Sequence, residues 1–508
     1  MALLPVLLFA CSAFVLVSLQ LAWRMHNIET PEPLRTSVIS HSPDRRLVLS
    51  PDISSQAQNA VIRGELPEWR RDFRRDNYTC LGWTPAVDCA PDAAAKPFWQ
   101  RFECNTEIQP GTPGFCEIKH LTTGEIHRLY TNCDGIRKPF KCNQALNYYE
   151  YAADANRYVY THRPSVKAQN LRGWDTSRGI VMSLYPEALP SGYAAIRRLR
   201  AVGCTLPIEI WIIQEELTAT HPVLYYLTSK FNAIVRYIED KSARKFYVKP
   251  YCIYHSMFDQ VLFLDADNFA ARDPTYLFSH PAFEATGAMF WPDYWQPNNT
   301  IFGLMDRSLL WNMLGIPYVD MFEQESGQLL IDRKKSSAQL EMLMYFSFRI
   351  PRLINDYDFI WGDKDLFRFA WMKTNKPFYM IQKPSGSAGL KHKDYDLFCG
   401  HSMVQHDPEG KILFLHRNTY KLTGELAAPF IWTHIQDFRG MTADENYIIR
   451  FAFGGQAFVG FKCFGNDTHY TDHFDMRPFS SYEELENIEL SLNSWALEAV
   501  QLSGFVGR

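Results

Sequence analysis

A short apolar run that ends in two acids constrains this chain more than any other feature. The run reads QVLFL over residues 260–264, and Asp265-Ala266-Asp267 follows at once. A run of this length, bounded by polar residues, predicts a strand that is buried on both faces of a sheet. Side chains at positions i and i+2 of an extended segment point the same way, so both carboxylates can face one bound ion. Ligands of open α/β sheets bind at the carboxyl ends of strands, where this pair lies.

Two interpretations of the Asp265–Asp267 pair are open at this point. Two desolvated carboxylates repel each other, and Mn²⁺ or Mg²⁺ relieves that repulsion while keeping positions free for substrate phosphates. Asp and Asn are also ordinary turn residues, and a turn after a strand needs no ion. The buried strand before the pair and the sequence Arg272-Asp273-Pro274 after it favour a metal–diphosphate site.

Strand-like and helix-like segments alternate through the middle of the chain. The predicted strands are 179–184, 208–213, 234–237 and 260–264, and the predicted helices are 192–201, capped by Ser191, 222–231 and 249–257. This alternation predicts an α/β fold with a doubly wound, mostly parallel sheet. The chain has neither GxGxxG after the first strand nor GxxxxGK[ST] anywhere. Phosphates would therefore have to be held by a metal and by cationic side chains.

Later segments add candidate site residues. Glu325 precedes the apolar run LLID, and Asp363 and Asp365 open a helix-like segment. The helix dipole explains one of these two aspartates without any function. His416 ends the apolar run ILFLH. A lone His is usually structural, but a His at the end of a buried strand is a candidate third ligand in a chain with an Asp pair.

The amino terminus indicates a membrane anchor. Residues 2–23 are almost uninterruptedly apolar and uncharged, and as a helix they would span about 33 Å, enough to cross a bilayer. A cleaved signal peptide would have a basic start and a shorter core, so an uncleaved anchor is preferred. Arg24 alone favours a cytosolic orientation. The eleven cysteines and the sequons at Asn77, Asn298 and Asn466 outweigh it and predict a lumenal catalytic domain.

Composition and cysteine spacing divide the chain of 508 residues into five parts. They are a transmembrane anchor (1–24), a polar stem (25–76), a cysteine-rich module (77–150), a catalytic domain (173–440) and a carboxyl-terminal tail packed on that domain (441–508). Six cysteines between Cys80 and Cys142 predict a three-disulfide module whose pairing is open. The module either binds an acceptor or partner, or stabilises the catalytic domain as a cap. The net charge of −4 predicts no general affinity for nucleic acids.

With these residues in place, the chain from about residue 179 to residue 421 resembles the fungal-type Golgi α-mannosyltransferases of glycosyltransferase family 71. The matching segments are KPYCIYHSMFDQVLFLDADNFAARDPTYLF, ESGQLLID, WGDKDLFRFAW and HSMVQHDPEGKILFLHRN. The resemblance implies a type II Golgi membrane enzyme with a GT-A glycosyltransferase fold. It also implies metal-assisted transfer of mannose from GDP-mannose to a mannose-containing glycan, with retention and an α-1,2 or α-1,3 linkage.

The same resemblance implies a role for each metal and phosphate residue. Asp265 and Asp267 correspond to the Asp-x-Asp metal motif, with Asp265 also facing the donor. His416 corresponds to a third metal ligand. Lys249 corresponds to a lysine near the nucleotide phosphates, and Lys421 to a lysine on the diphosphate.

The remaining assignments concern the sugar and the nucleotide. Leu184, at the end of the first predicted strand, is assigned to donor binding. Glu325, Asp363 and Asp365 are assigned to catalysis, where they would steady the cationic sugar or orient the acceptor hydroxyl. Two other classes remain open: a transferase that uses a UDP-sugar, and an inactive relative that binds glycans.

Overall fold

The computed structural model describes residues 68–90, 92–130, 135–161, 175–426, 428–466 and 472–504. The predicted membrane anchor and most of the predicted stem lie outside these ranges. Within them, the structure contains no helix that combines the length and the apolar character needed to cross a bilayer.

A small antiparallel sheet with two disulfides opens the described chain. Its elements are helix α1 (Glu68–Arg71), strands β1 (Tyr78–Pro85), β2 (Gly114–His120) and β3 (Ile126–Leu129), and helix α2 (Cys142–Thr161). The three strands pair in the order β1-β2-β3. Disulfides join Cys80 to Cys104 and Cys116 to Cys142, and Cys89 is also disulfide-bonded. The prediction of disulfides in this module is confirmed.

The central sheet is built from alternating strands and helices. Its region contains β4 (Arg178–Ser183), α3 (Leu189–Ala201), β5 (Ile208–Ile212), α4 (Pro222–Lys230), β6 (Ala233–Tyr237), α5 (Val248–His255), β7 (Gln260–Leu264), β8 (Asn268–Ala270), α6 (Pro281–Thr286), β9 (Ala288–Pro292), α7 (Leu309–Leu314), β10 (Gln324–Asp332), α8 (Ser337–Phe348), α9 (Leu353–Asp356), α10 (Leu366–Lys373) and β11 (Tyr379–Met380). The strand order is β11-β9-β10-β7-β4-β5-β6. Strand β10 is antiparallel to β7 and β9, and the other neighbours run parallel. The predicted mixed α/β class with a mostly parallel sheet is confirmed.

Strand β7 is apolar from Val261 to Leu264 because helices cover both faces of the sheet. Val261 and Phe263 pack into one hydrophobic cluster, whereas Leu262 and Leu264 pack into another. All four side chains are fully buried. Alternate side chains of a strand point to opposite faces, so a strand between two covered faces needs an unbroken apolar run.

A second, antiparallel sheet follows, which the sequence analysis did not predict. Its elements are β12 (Gly386–Lys391), β13 (Phe398–His406), β14 (Ile412–His416), β15 (His434–Phe438), β16 (Arg450–Phe453), β17 (Lys462–Gly465), β18 (Phe474–Pro478) and helix α11 (Ile488–Leu502). Residues beyond 440 supply three of these strands. Strand β14 pairs with β13 on one side and with β8 on the other. Through β8, the second sheet reaches the segment that carries the acid pair.

The predicted Ser191 cap is wrong. Helix α3 begins at Leu189, and the residue at its cap position, Ala188, makes no side-chain cap. A 3-10 turn over Pro186–Ala188 leads directly into the helix, and Pro190 fits the first helical turn because its missing N–H has no partner there in any case. The helix therefore starts upstream of Ser191, whose hydroxyl lies buried inside the first turn.

The disulfide between Cys399 and Cys463 is expected to stabilise the second sheet. It joins β13 to β17 across a sequence separation of 64 residues, so it restricts the unfolded chain strongly. Replacing both cysteines by serine is expected to lower the free energy of unfolding by about 2–4 kcal/mol. Urea denaturation of the oxidised protein measures this. The control is Cys204→Ser, which removes a buried but unbridged thiol. An equal loss in both variants would contradict the cross-link as the cause.

Candidate active site

Backbone pairing brings three separate strand ends together. In the register of β10 with β7, Gln328 lies opposite Leu264, and the N–H of Asp265 donates to the Gly327 carbonyl at 2.8 Å. In the register of β14 with β8, His416 lies opposite Asn268. The two acids are thus held between β10 on one side and the end of β14 on the other.

Asp265, Asp267 and His416 form a compact set of ligand atoms. The Nε2 atom of His416 lies 3.2 Å from Oδ1 of Asp267 and 4.0 Å from Oδ2 of Asp265. All three residues offer a ligand atom within 4.8 Å of the others. Two ligands of an ion such as Mg²⁺, each about 2.1 Å from it, lie at most about 4.2 Å apart. The measured His416 separations fit that limit, and two carboxylates with one imidazole suit Mn²⁺ or Mg²⁺.

Gly327 makes room for the imidazole ring. A Cβ atom at this position would lie 2.6 Å from Nδ1 of His416, far closer than non-bonded contact allows. The N–H of Gly327 also donates to Oε1 of Glu325 at 2.6 Å. The same carboxylate lies 3.6 Å from Nδ1 of His416. Glu325 therefore lies near the nitrogen that faces away from the acid pair, but at 3.6 Å it makes no hydrogen bond to that nitrogen.

Two lysines flank the acid pair. Nζ of Lys249 lies 3.1 Å from Oδ2 of Asp265 and donates to the Ser326 carbonyl at 2.7 Å. Lys421 contacts the Asp267 carboxylate from the other side, and about half of its side chain is exposed. The site thus offers two positive charges beside the candidate ion position, as binding of a diphosphate requires.

The surrounding charges set the protonation of the site. Burial acts to raise the pKa of Asp267, but Lys421 and His416 outweigh it and hold that pKa well below its usual range. Burial acts to lower the pKa of Lys249, but Asp265 and Asp363 outweigh it and raise that pKa. Asp267 is therefore ionised and Lys249 charged at neutral pH, which are the states that bind a cation and a phosphate.

The structure separates Asp363 from Asp365. Oδ2 of Asp363 lies 3.6 Å from Nζ of Lys249, at the site. The Asp365 carboxylate instead accepts from Arg368 at 2.6 Å and from the Gln324 N–H at 2.9 Å. It is fully buried, in a cluster of ion pairs with Lys364. Successive residues of a helical turn are rotated by about 100° from each other. Asp363 and Asp365 are two positions apart in the turn that leads into helix α10, so their side chains point to nearly opposite sides. The structure does not bring Asp365 to the acid pair.

Leu184 is buried among apolar side chains. Its side chain is buried in an apolar cluster with the residues of helix α3, and its N–H donates to the Trp211 carbonyl at 2.9 Å. Neither the side chain nor the N–H is left to bind a nucleotide.

Two residues that shape the site, Gly327 and Asn268, were not predicted from the sequence. Nδ2 of Asn268 donates to the Gly327 carbonyl at 2.9 Å and to Oε1 of Gln328 at 2.6 Å, so it ties the acid loop to β10. The sequence offered a hint of each role. Asn268 directly follows the acid pair, and Gly327 lies between the polar residues 325–326 and the apolar run that begins at Leu329.

Comparisons with known proteins identify relatives of the central region. The family model described as "Mannosyltransferase putative" matches residues 177–407. The α-1,2-mannosyltransferase MNN21 of Candida albicans is 29% identical over 272 residues, which are 44% of this chain and 41% of that protein. The α-1,2-mannosyltransferase MNN5 of Saccharomyces cerevisiae is 25% identical over 273 residues, 43% of this chain and 46% of that protein. The chain thus spans less than half the length of these relatives. The resemblance to fungal mannosyltransferases is confirmed over the matched region.

Solved glycosyltransferase structures show a weaker similarity. The galactosyltransferase LgtC, in complex with donor and acceptor sugar analogues, is 14% identical with a TM-score of 0.30, and the match covers 40% of this chain and 73% of LgtC. Mouse xyloside xylosyltransferase 1 is 14% identical with a TM-score of 0.29, over 41% of this chain and 85% of that one.

Gly327→Ala is expected to displace the His416 imidazole, because the added methyl would occupy the place of its Nδ1 atom. We expect the affinity for Mn²⁺ to fall at least about tenfold while the fold is retained. Calorimetric titration with Mn²⁺ measures the affinity, and circular dichroism checks the fold. Wild-type affinity in the folded variant would show that the position of His416 does not depend on this glycine.

Asp363→Asn is expected to stabilise the folded protein at pH 8. Burial raises the pKa of Asp363 to about 6, although Lys249 opposes this shift. Because this pKa exceeds the unfolded value, the carboxyl group contributes stability below about pH 4 and loses it as pH rises through about 6. The variant should be more stable than wild type by on the order of 1–3 kcal/mol at pH 8, and equally stable near pH 4. Urea denaturation at both pH values tests this, and a gap that does not change with pH would contradict it.

Proposed function

Because residues 177–407 match a mannosyltransferase family, we propose that this chain is a glycosyltransferase that moves mannose from GDP-mannose to a mannose-containing glycan. The observation that carries the proposal is the meeting of Asp265, Asp267 and His416 between two lysines. The position of the acid pair at the carboxyl end of a buried strand in a mostly parallel sheet supports a GT-A fold. The names of the relatives favour an α-1,2 linkage.

Donor binding would rest on the two acids, His416 and the two lysines. A divalent cation held by Asp265, Asp267 and His416 would supply Lewis-acid stabilisation for the diphosphate leaving group. Lys249 and Lys421 carry fixed positive charge to the same place. Such charges favour the transition state over the ground state, because negative charge on the leaving phosphate grows as the bond to the sugar breaks.

Asp363 and Glu325 are the acids left for the sugar. Asp363 lies 3.6 Å from Nζ of Lys249, which also contacts Asp265, and Glu325 lies beside His416. Ionised Asp363 would steady the positive charge that develops on the anomeric carbon. The acceptor oxygen would form its bond to that carbon on the face that the diphosphate leaves, which gives retention. The acceptor proton would pass to the departing phosphate oxygen.

We also propose that the protein is a single-pass type II Golgi membrane protein, anchored by residues 1–24, with its catalytic domain in the lumen. Disulfides form and persist in oxidising compartments. Three disulfides have both of their cysteines within the described residues. The exposed side chains of Asn77 and Asn298 are open to glycan attachment. The Asn466 side chain is buried in the folded protein and is not open to attachment, and its Nδ2 donates to the Ile448 carbonyl at 2.7 Å.

The proposal predicts that GDP-mannose turnover depends on the acid pair. Asp265→Asn and Asp267→Asn should each lower kcat by at least about a thousandfold, because the charge that holds the cation is lost. The assay measures GDP release by the lumenal part with an α-linked mannotriose acceptor, with Mn²⁺ and with EDTA. Asp394→Asn is the matched control, since Asp394 is an exposed acid.

Activity that survives EDTA or either variant would remove the cation from the proposal. A parallel thermal-shift screen distinguishes donors, because a ligand that binds the native state raises the apparent stability. A shift with UDP-sugars and none with GDP-mannose would overturn the assigned donor. Binding of mannotriose with no turnover of any nucleotide sugar would favour an inactive glycan-binding relative.

A further inference from the structure

We propose that Phe246 and Trp361 form a stacking platform for one pyranose ring of the acceptor glycan. The proposal rests on the proposed function and adds to it the surface that receives the acceptor. It follows from the exposure of the two rings, their place in the chain and the bracing of their backbones.

The two aromatic rings are exposed and touch each other. Phe246 has 46% of its surface exposed and Trp361 has 47%. Their ring centroids lie 6.1 Å apart with an interplanar angle of 67°. Single exposed apolar side chains are common, but two large rings from distant segments that meet at the surface form a continuous apolar patch.

Both rings stand next to residues of the site. Phe246 is three residues before Lys249, and Trp361 is two residues before Asp363. Two peptide units place the Cα atoms of Trp361 and Asp363 at most about 7.6 Å apart. Lys249 and Asp363 in turn form an ion pair at 3.6 Å. The segments 246–249 and 361–363 therefore contact each other twice, through the Lys249–Asp363 ion pair and through the two exposed rings.

The backbones beside the rings are held in uncommon conformations. Lys245, directly before Phe246, has a φ of 54°, and Gly362, directly after Trp361, has a φ of +63°. A Cβ atom on Gly362 would lie 2.8 Å from the Phe246 ring, so only glycine permits the contact. Left-handed backbone in a non-glycine residue costs energy and concentrates at functional sites.

One amide braces both segments. Nδ2 of Asn355 donates to the Gly362 carbonyl at 2.7 Å, and Oδ1 of the same side chain accepts from the Tyr247 hydroxyl at 3.0 Å. Asn355 thus ties the residue after Phe246 to the residue after Trp361. The bracing fixes the relative position of the two rings before any ligand binds, which lowers the entropic cost of binding.

A sugar ring fits this surface by its chemistry. The C–H groups on one face of a pyranose are apolar and weakly positive, and they favour the negative face of an aromatic ring. The hydroxyl groups at the edge of the sugar remain free to meet polar groups such as Asp363. The platform and the reacting position lie within a few residues of each other, so an acceptor stacked there would present a hydroxyl group to the site.

The test compares the kinetics of both substrates in Trp361→Ala and Phe246→Ala. We expect the KM for α-linked mannotriose to rise about tenfold and the KM for GDP-mannose to change less than about twofold. Trp361→Tyr, which keeps a ring, should restore most of the acceptor affinity. Tyr225→Ala is the matched control, because it removes an aromatic ring that is 68% exposed on helix α4, and it should leave the acceptor KM at the wild-type value.

Three results would overturn the platform while leaving the proposed function intact. One is an unchanged acceptor KM in both alanine variants, and another is an equal rise in the Tyr225→Ala control. The third is a rise in the KM for GDP-mannose instead, which would place the nucleotide base on the rings. If the wild-type protein turns over no GDP-mannose, the proposed function fails, and calorimetric titration of wild type and Trp361→Ala with mannotriose still decides whether the rings bind a sugar.

Discussion

Repulsion between Asp265 and Asp267 is the constraint on which the site depends. Two carboxylates one residue apart at the end of a buried strand raise the energy of the folded chain unless positive charge lies close by. The structure supplies a separate partner for each acid: Lys249 lies 3.1 Å from Asp265, and His416 lies 3.2 Å from Asp267. These partners offset the repulsion between the two acids and hold them close together, an arrangement in which a divalent cation could bind.

The second sheet explains how a residue about 150 positions downstream reaches the acid pair. Strand β14 carries His416 and pairs with β8, the short strand that directly follows Asp267. Strand β13 pairs with the other edge of β14 and is cross-linked to β17 by the Cys399–Cys463 disulfide. Helix α11 packs on helix α3, where Arg197 pairs with Glu498 at 2.7 Å. The carboxyl-terminal residues therefore help to position a site residue.

Local patterns in the sequence predicted the parts of the fold that local forces decide. The apolar run 260–264, its acid pair and the alternation of strands and helices were sufficient to predict the central sheet. The apolar run that ends in His416 made that residue a candidate third ligand. The run 412–416 was predicted as a strand, but the second sheet as a whole was not predicted, because it is set by pairing between distant segments. The directions of the Asp363 and Asp365 side chains depend on where helix α10 begins. The ends of helices are the part of a fold that is hardest to predict from sequence. The role of Gly327 required the position of the His416 ring.

The central claim is that one divalent cation binds between the two acids and His416. The most direct measurement is an anomalous difference map from crystals of the lumenal part grown with Mn²⁺ and GDP. The account predicts one anomalous peak within about 2.5 Å of an oxygen of Asp265, an oxygen of Asp267 and Nε2 of His416, with the diphosphate beside it. A diphosphate bound at the site without a peak there, or a peak that contacts neither acid, would contradict the account.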